Sequence, residues 1–277
     1  MRRPSLDVDR LASLAPGWRV EVLPETPSTN AVCADRARSG EPAGLVVTTE
    51  HQYAGRGRLD RVWEMPPRAA LALSVLLRPD LPSARWPWLP LMAGVAVART
   101  LDGRVKWPND VLLGPELKKV CGILVERVEV STRSTTGDGS TTGDGSTTGP
   151  GSTTGPAAIV GIGINTSLTV DELPVPTATS LNLERGREVD RTAVLEQLLG
   201  QLAAAYTLLC EDPSRLTEEY VAASATIGQP VRAEMPGGRE LTGIATGIDD
   251  DGRLLIETAS GPEVVGAGDI VHLRTQP

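Results

Sequence analysis

All three lysines of this chain, Lys106, Lys118 and Lys119, fall within one stretch, KWPNDVLLGPELKKVCGILVE (106–126), and arginine carries the positive charge everywhere else. Lysine is a compact point charge with three rotatable donors, whereas arginine is a rigid planar fork. A chain that otherwise uses arginine would keep lysine where a slim, mobile ammonium meets a reacting group. The plain alternative is a chance cluster on a solvated face. Asp110 lies in the same stretch. An ammonium and a carboxylate side by side suit an anionic, metal-linked substrate.

A second constellation is Gly55-Arg56-Gly57-Arg58, which follows the strand-like run LVVTT (45–49) and Glu50-His51-Gln52-Tyr53. Glycines permit a tight backbone whose N–H groups can line an anion, and arginines add charge-assisted donors for phosphate or carboxylate. The spacing is neither that of a P-loop nor G-x-G-x-x-G, so a phosphate would be held by a different device. A flexible basic surface loop is the competing reading. Ser28-Thr29-Asn30 opens a helix; its hydroxyls serve as caps, or the free N–H groups there receive a polar ligand group. Gly161-Ile162-Gly163-Ile164-Asn165 ends a strand. Its glycines allow close approach, and Asn165 can read the donor and acceptor edge of a base or amide.

These groups need elements to hold them. The pattern predicts a weak helix over 6–14, a strand over 18–23, a helix from Ser28 to about Ser39 and buried strands over 45–49 and 71–77. Pro87 and Pro90 put the start of the next regular helix near Leu89. A short strand over 105–107, a Pro108-Asn109-Asp110 turn, a strand over 111–113 and a Gly114-Pro115 turn follow. Val120–Val125 reads as a buried strand with Gly122 inside it, a sign of a close neighbour. It should pair antiparallel with 158–164. Between them runs a six-residue repeat, STTGDG, STTGDG, STTGPG, STTGP (134–156). With no apolar residue it cannot offset ordering entropy by burial, so it reads as a disordered insertion in a hairpin. Helices follow over 190–210, capped by Asp190, and 214–223, started by Pro213. From about Ala225 the chain changes to short strands with Gly/Asp turns, read as an SH3-like β-barrel.

The fold class is therefore α+β: a mixed sheet packed by helices over 1–224, with the repeat as an insertion, and a small barrel over 225–277. A net charge of −8 and a pI near 5.0 disfavour general nucleic-acid binding. No apolar run has the ~18–20 residues of a membrane span. The N-terminus lacks the apolar core of a secretory signal. Three separated cysteines, Cys33, Cys121 and Cys210, argue for a reducing cytoplasm, and no His/Cys cluster has zinc spacing.

Taken together, Ser28-Thr29-Asn30, Gln52 with Gly55-Arg56-Gly57-Arg58, Lys106-Trp107-Pro108-Asn109-Asp110 with Lys119-Val120-Cys121-Gly122-Ile123-Leu124-Val125-Glu126, and Gly161–Asn165 resemble the biotin protein ligases over about residues 20–275. That resemblance implies a class II aminoacyl-tRNA synthetase-like catalytic fold and two-step chemistry. Biotin and ATP would form biotinyl-5′-adenylate, and a lysine of a biotin carboxyl carrier domain would then take the biotin. It also implies Lys119, Arg56 and Arg58 as catalytic residues. Ser28, Thr29, Asn30, Gln52, Gly57 and Gly122, with the same three cations, would bind biotin. Arg56, Arg58, Lys119 and Asn165 would bind ATP, and Asp110 is the candidate for Mg²⁺. The chain departs from the family pattern at Asp60, where the arginine loop usually has glycine, and at Cys121, where a small residue is usual. Only about 17 residues precede the first core strand, too few for a helix-turn-helix domain. An enzyme without operator binding, nucleic-acid partner or membrane association is expected. The alternatives are a lipoate- or octanoate-handling transferase, disfavoured by the arginine loop, and a non-enzymatic binding module, disfavoured by the lysine restriction.

Overall fold

The computed structural model describes residues 3–14, 17–58, 61–63, 65–130, 155–235, 237–266 and 268–272. In chain order the elements are α1 (Val8–Ala12), β1 (Arg19–Leu23), α2 (Thr29–Arg38), β2 (Leu45–Thr49), β3 (Gly55–Arg56), β4 (Val62–Trp63), β5 (Ala70–Leu77), α3 (Trp88–Leu101), β6 (Arg104–Lys106), β7 (Asp110–Leu113), β8 (Lys118–Val128), β9 (Ala157–Asn165), α4 (Leu181–Arg185), α5 (Arg191–Glu211) and α6 (Pro213–Ala223). Five strands follow: β10 (Pro230–Glu234), β11 (Glu240–Ile248), β12 (Leu254–Thr258), β13 (Gly261–Val265) and β14 (Asp269–His272). The repeat and Asp60 lie outside the described residues, apart from Gly155 and Pro156.

The main sheet runs β1-β2-β5-β9-β8-β7-β6, with β1 and β2 parallel and the other neighbours antiparallel. Successive side chains of a strand point to opposite faces, so each central strand has two jobs. On β5, Leu71, Leu73, Val75 and Leu77 join the main apolar core beneath α3, while Leu76 packs with α2 on the other side. On β9, Ala158, Val160, Ile162 and Ile164 enter the main core. Gly161 and Gly163 therefore fall on the α2 side. There the row of partners Lys106, Asp110, Gly122, Gly163 and Ala72 crosses five strands.

Helix α5 is long and apolar enough to cross a membrane by length and composition. It is instead a core helix: Leu195, Leu198, Leu199 and Leu202 are buried in the same cluster as Leu89 and Met92 of α3. Ahead of β1, the described residues form only the short α1, tied down by a buried ion pair. Arg191, 5% exposed, meets Glu50 at 2.5 Å, and the other Glu50 oxygen accepts from the Leu6 backbone N–H at 2.6 Å.

The C-terminal strands form an antiparallel sheet of order β13-β12-β11-β10-β14. This corrects the expected SH3-like barrel. β13 pairs with β12 and β14 with β10, and among the described residues no ladder joins the two edges, so the sheet is open. Closure is unnecessary for burial here. Val231, Ala233, Ala245, Leu254, Ile256 and Val265 sink into the same core as α3 and the main sheet. The Trp88 and Trp107 indoles donate to the Asp250 and Gly252 carbonyls at 2.8 and 3.1 Å, tying the β11–β12 turn to the larger layer.

Candidate active site

Strict alternation along β8 would misplace Lys119. With Gly122 on the cleft face and Cys121 in the core, Val120 should face the cleft and Lys119 the core. A register break prevents this: Val111 opposes Cys121, and Leu112 opposes Lys119. Val120 is the extra residue, and it shares the core with Cys121. A β-bulge of this kind re-aims the side chains beyond it. Lys119 thus swings into the cleft, where its ammonium sits 2.6 Å from Asp110 and 5.9 Å from the centre of the Trp63 ring.

Ser28, Thr29, Asn30, Gln52, Arg56, Gly57, Arg58, Asp110, Lys119, Gly122 and Asn165 all line one cleft of about 690 Å³. Its walls are α2, the β3–β4 hairpin, the β6–β7 turn and the edge of the C-terminal sheet, which contributes Glu234, Asp269, Ile270 and Val271. Its floor is the small-residue row on β5, β9 and β8. A Cβ on Gly163 would come within 2.9 Å of three Trp63 ring atoms, and one on Gly161 would come within 2.2 Å of Asn30 Oδ1. Glycine is required at both places by close approach.

At one end the cleft is polar. Gln52 Oε1 accepts from the Thr29 backbone N–H at 2.9 Å and lies 3.2 Å from the Thr29 hydroxyl. The buried Ser74 hydroxyl lies 2.7 Å from Thr29 Oγ1 and 2.6 Å from Asn30 Oδ1. With one proton it can donate to only one of them. The Asn30 amide donates to Glu126 at 2.6 Å, and the other Glu126 oxygen accepts from Arg56 at 3.3 Å. A continuous chain of donors and acceptors therefore runs from Gln52 to the first arginine. Ser28 keeps its capping job, accepting from the Ala31 N–H at 3.4 Å.

Arg58 faces the other wall. It donates to Asn109 Oδ1 at 3.3 Å and to the Gly268 carbonyl at 3.2 Å, and lies 3.9 Å from Asp269. Arg61 also pairs with Asp269. The Asn165 amide donates to the Thr179 carbonyl at 3.0 Å. Lys118 sits apart from the cleft, paired with Glu116 at 2.9 Å. Burial lowers the Lys106 ammonium pKa, opposed by the Asp110 carboxylate. Burial pushes the Cys121 thiol up, and the Cys33 thiol up to about 12, so both are neutral packing groups.

Sequence reasoning missed Trp63, Asn109, Glu126 and Asp269 as cleft groups. The Trp63 indole N–H is buried and, among the described residues, without a hydrogen-bond partner. Asn109 sits in the turn that was read, but its role in bridging Arg58 and the Ile123 carbonyl needs the folded register. Asp269 comes from a distant strand, and nothing local in the sequence announces it.

Residues 22–137 match the biotin/lipoate A/B protein ligase family, and residues 226–273 match the biotin protein ligase C terminal domain. The solved structure of biotin protein ligase from Aquifex aeolicus in complex with biotin and ATP superposes with a TM-score of 0.72 at 25% identity, covering 93% of this chain and 99% of that one. The fold and the cleft thus define a protein of the biotin and lipoate ligase class. The biotin--[acetyl-CoA-carboxylase] ligase of Mycobacterium tuberculosis is 37% identical over 98% of this chain and 97% of that protein. The bifunctional ligase/repressor BirA of Bacillus subtilis is 32% identical over 88% of this chain and 70% of that protein. The chain belongs to the biotin protein ligase family.

Proposed function

We propose that this cleft carries out both half-reactions of biotin transfer, with the roles of its residues set by their places along it. The chain is an ATP-dependent biotin protein ligase: it forms biotinyl-5′-AMP and passes the biotin to a lysine of a biotin carboxyl carrier domain. In the first step a biotin carboxylate oxygen attacks the α-phosphorus of ATP. The bond from that phosphorus to the bridging oxygen breaks, and the electron pair leaves with pyrophosphate. Two anions must meet, so fixed positive charge is needed where they join.

Lys119 is our assignment for that junction, and the observation that carries it is the Lys119–Asp110 pair between the polar pocket and the two arginines. Ser28, Thr29, Asn30, Gln52 and the bare backbone at Gly57 and Gly122 take biotin. The Thr29–Ser74–Asn30 chain suits a small polar head group, and the unpartnered Trp63 N–H offers one further donor. Arg56 and Arg58 face the carboxylate and phosphates, and Asn165 the adenine. In the second step the carrier lysine attacks the acyl carbon and AMP departs.

Among the described residues, no three His, Cys, Asp or Glu side chains converge as a ready-made metal cage. The arrangement fits Mg²⁺ arriving on the triphosphate and steadied by one carboxylate, for which Asp110 is the candidate. Magnesium bound there would neutralise part of the phosphate charge. We place the division between the catalytic part and the C-terminal part at 224/225, just after α6 and just ahead of the segment that matches the C-terminal family. Three free cysteines suit a reducing cytoplasm.

The test is exchange of labelled pyrophosphate into ATP by the purified protein with Mg²⁺. Exchange that requires biotin and is absent with lipoate is the expected result. Exchange with lipoate alone would overturn the substrate assignment.

A further inference from the structure

Lys106 is the second lysine of the cleft and has no role so far. It stands at the end of a row of cross-strand partners, Ala72, Gly163, Gly122, Asp110 and Lys106. Neighbouring strands lie about 4.8 Å apart, so the row is a ruler. Biotin's pocket occupies the glycine end, under Trp63 and Asn30. The Asp110–Lys119 pair comes next. Lys106 is one strand beyond, on the far side of the reacting centre from biotin. Its chain is half-buried, and among the described residues it makes no ion pair within 4.0 Å, although Asp110, Lys119, Asp269 and Arg61 all act on it electrostatically.

Phosphoryl transfer runs in line: the attacking oxygen and the leaving oxygen lie on opposite sides of the phosphorus. With biotin at the glycine end, the β- and γ-phosphates must lie and leave on the side away from it, toward the β6 edge. We infer that Lys106 is the cation for the leaving pyrophosphate, a role separate from that of Lys119 at the attacking carboxylate. As the bond from the α-phosphorus breaks, negative charge grows on the bridging oxygen and the β-phosphate, and an ammonium fixed there stabilises it. A flexible lysine can follow the departing group, as a planar guanidinium pinned by Asp269 cannot. The transfer half-reaction involves no pyrophosphate and does not need Lys106.

This rests on the adenylate site proposed above, and the experiment separates the two. Lys106→Met and Lys106→Arg are compared with the parent in three assays. They are the KM for pyrophosphate in biotin-dependent exchange, the KM for biotin in the same assay, and single-turnover transfer from synthetic biotinyl-5′-AMP to a biotin carboxyl carrier domain. In Lys106→Met the pyrophosphate KM should rise by about tenfold or more, while the biotin KM and the transfer rate stay within about twofold. Lys106→Arg, which keeps the charge, should recover a good part of the pyrophosphate affinity and remains informative even where the Met variant folds poorly. An unchanged pyrophosphate KM, or a transfer rate that falls as far as exchange does, overturns the inference while leaving the site reading intact. No biotin-dependent exchange in the parent overturns both.

Discussion

At the scale of single residues, the position of Lys119 depends on one inserted residue, Val120. The bulge lets Val120 and Cys121 both face the core, so the lysine comes out beside Asp110 at 2.6 Å. Lys119→Ala should slow biotin-dependent pyrophosphate exchange by roughly 10²–10³, the cost of one preorganised charge-stabilising donor. Unchanged exchange would remove Lys119 from the reacting centre. The lysine itself was legible in the sequence, because the chain uses so few. How it reaches the cleft was not, because the VCGILV that follows it (120–125) is a continuous apolar run, with no alternation against which a bulge would show. Ser28 shows the reverse case. Cap and ligand group were both open readings, and the structure finds the hydroxyl capping α2 at the lip of the cleft.

At the scale of elements, ion pairs anchor the N-terminal segment. Glu50 holds Arg191 of α5 and the backbone ahead of α1 together. Glu50→Ala would strand a buried guanidinium, which costs about 3–5 kcal/mol, readable as a lower midpoint in urea at constant m. Arg3 reaches across to Glu172, and its hydrogen bond is the main reason the Glu172 carboxyl titrates below its ordinary value. A carboxylate with a lower pKa folded than unfolded adds stability above the unfolded value and loses it as pH falls through the folded one. The Tm gap between the parent and Glu172→Gln should therefore be widest near neutrality and close below about pH 4. The pair is partly buried at the surface, and the neutral-pH difference should be about 1 kcal/mol. A gap that grows on acidification would contradict the pairing. The β8–β9 hairpin carries a third expectation. Val128 and Ala157 are its last partners, so the two strands can be joined by a short turn. Replacing 130–156 with such a turn should leave exchange within a few-fold, because the cleft lies near the opposite end of the hairpin.

At the scale of the whole molecule, the cleft belongs to both sheets. Asp269 begins β14, far in sequence from the arginine loop, yet it pairs with Arg61 and approaches Arg58. Asp269→Ala should release Arg61, leave Arg58 held only by Asn109 and the Gly268 carbonyl, and raise the KM for ATP several-fold with little change in the biotin KM. Equal changes in both would point to a general loss of structure. Here the sequence was informative in one respect and misleading in another. Alternation and turn residues gave the five C-terminal strands, but whether a sheet closes depends on its two edge strands finding each other. No pattern within a strand encodes that, and burial against the core of the larger layer removes the need.

The glycine floor sets a limit on what can be changed. Gly161, Gly163 and Gly122 are already the smallest residues available, so no substitution can deepen the trough, and any added carbon only shallows it. The overhanging side chains, chiefly Trp63 and Asn30, are the adjustable part. Laboratory evolution toward bulkier biotin analogues would have to carve the ceiling, and variants that accept such probes should carry their changes there.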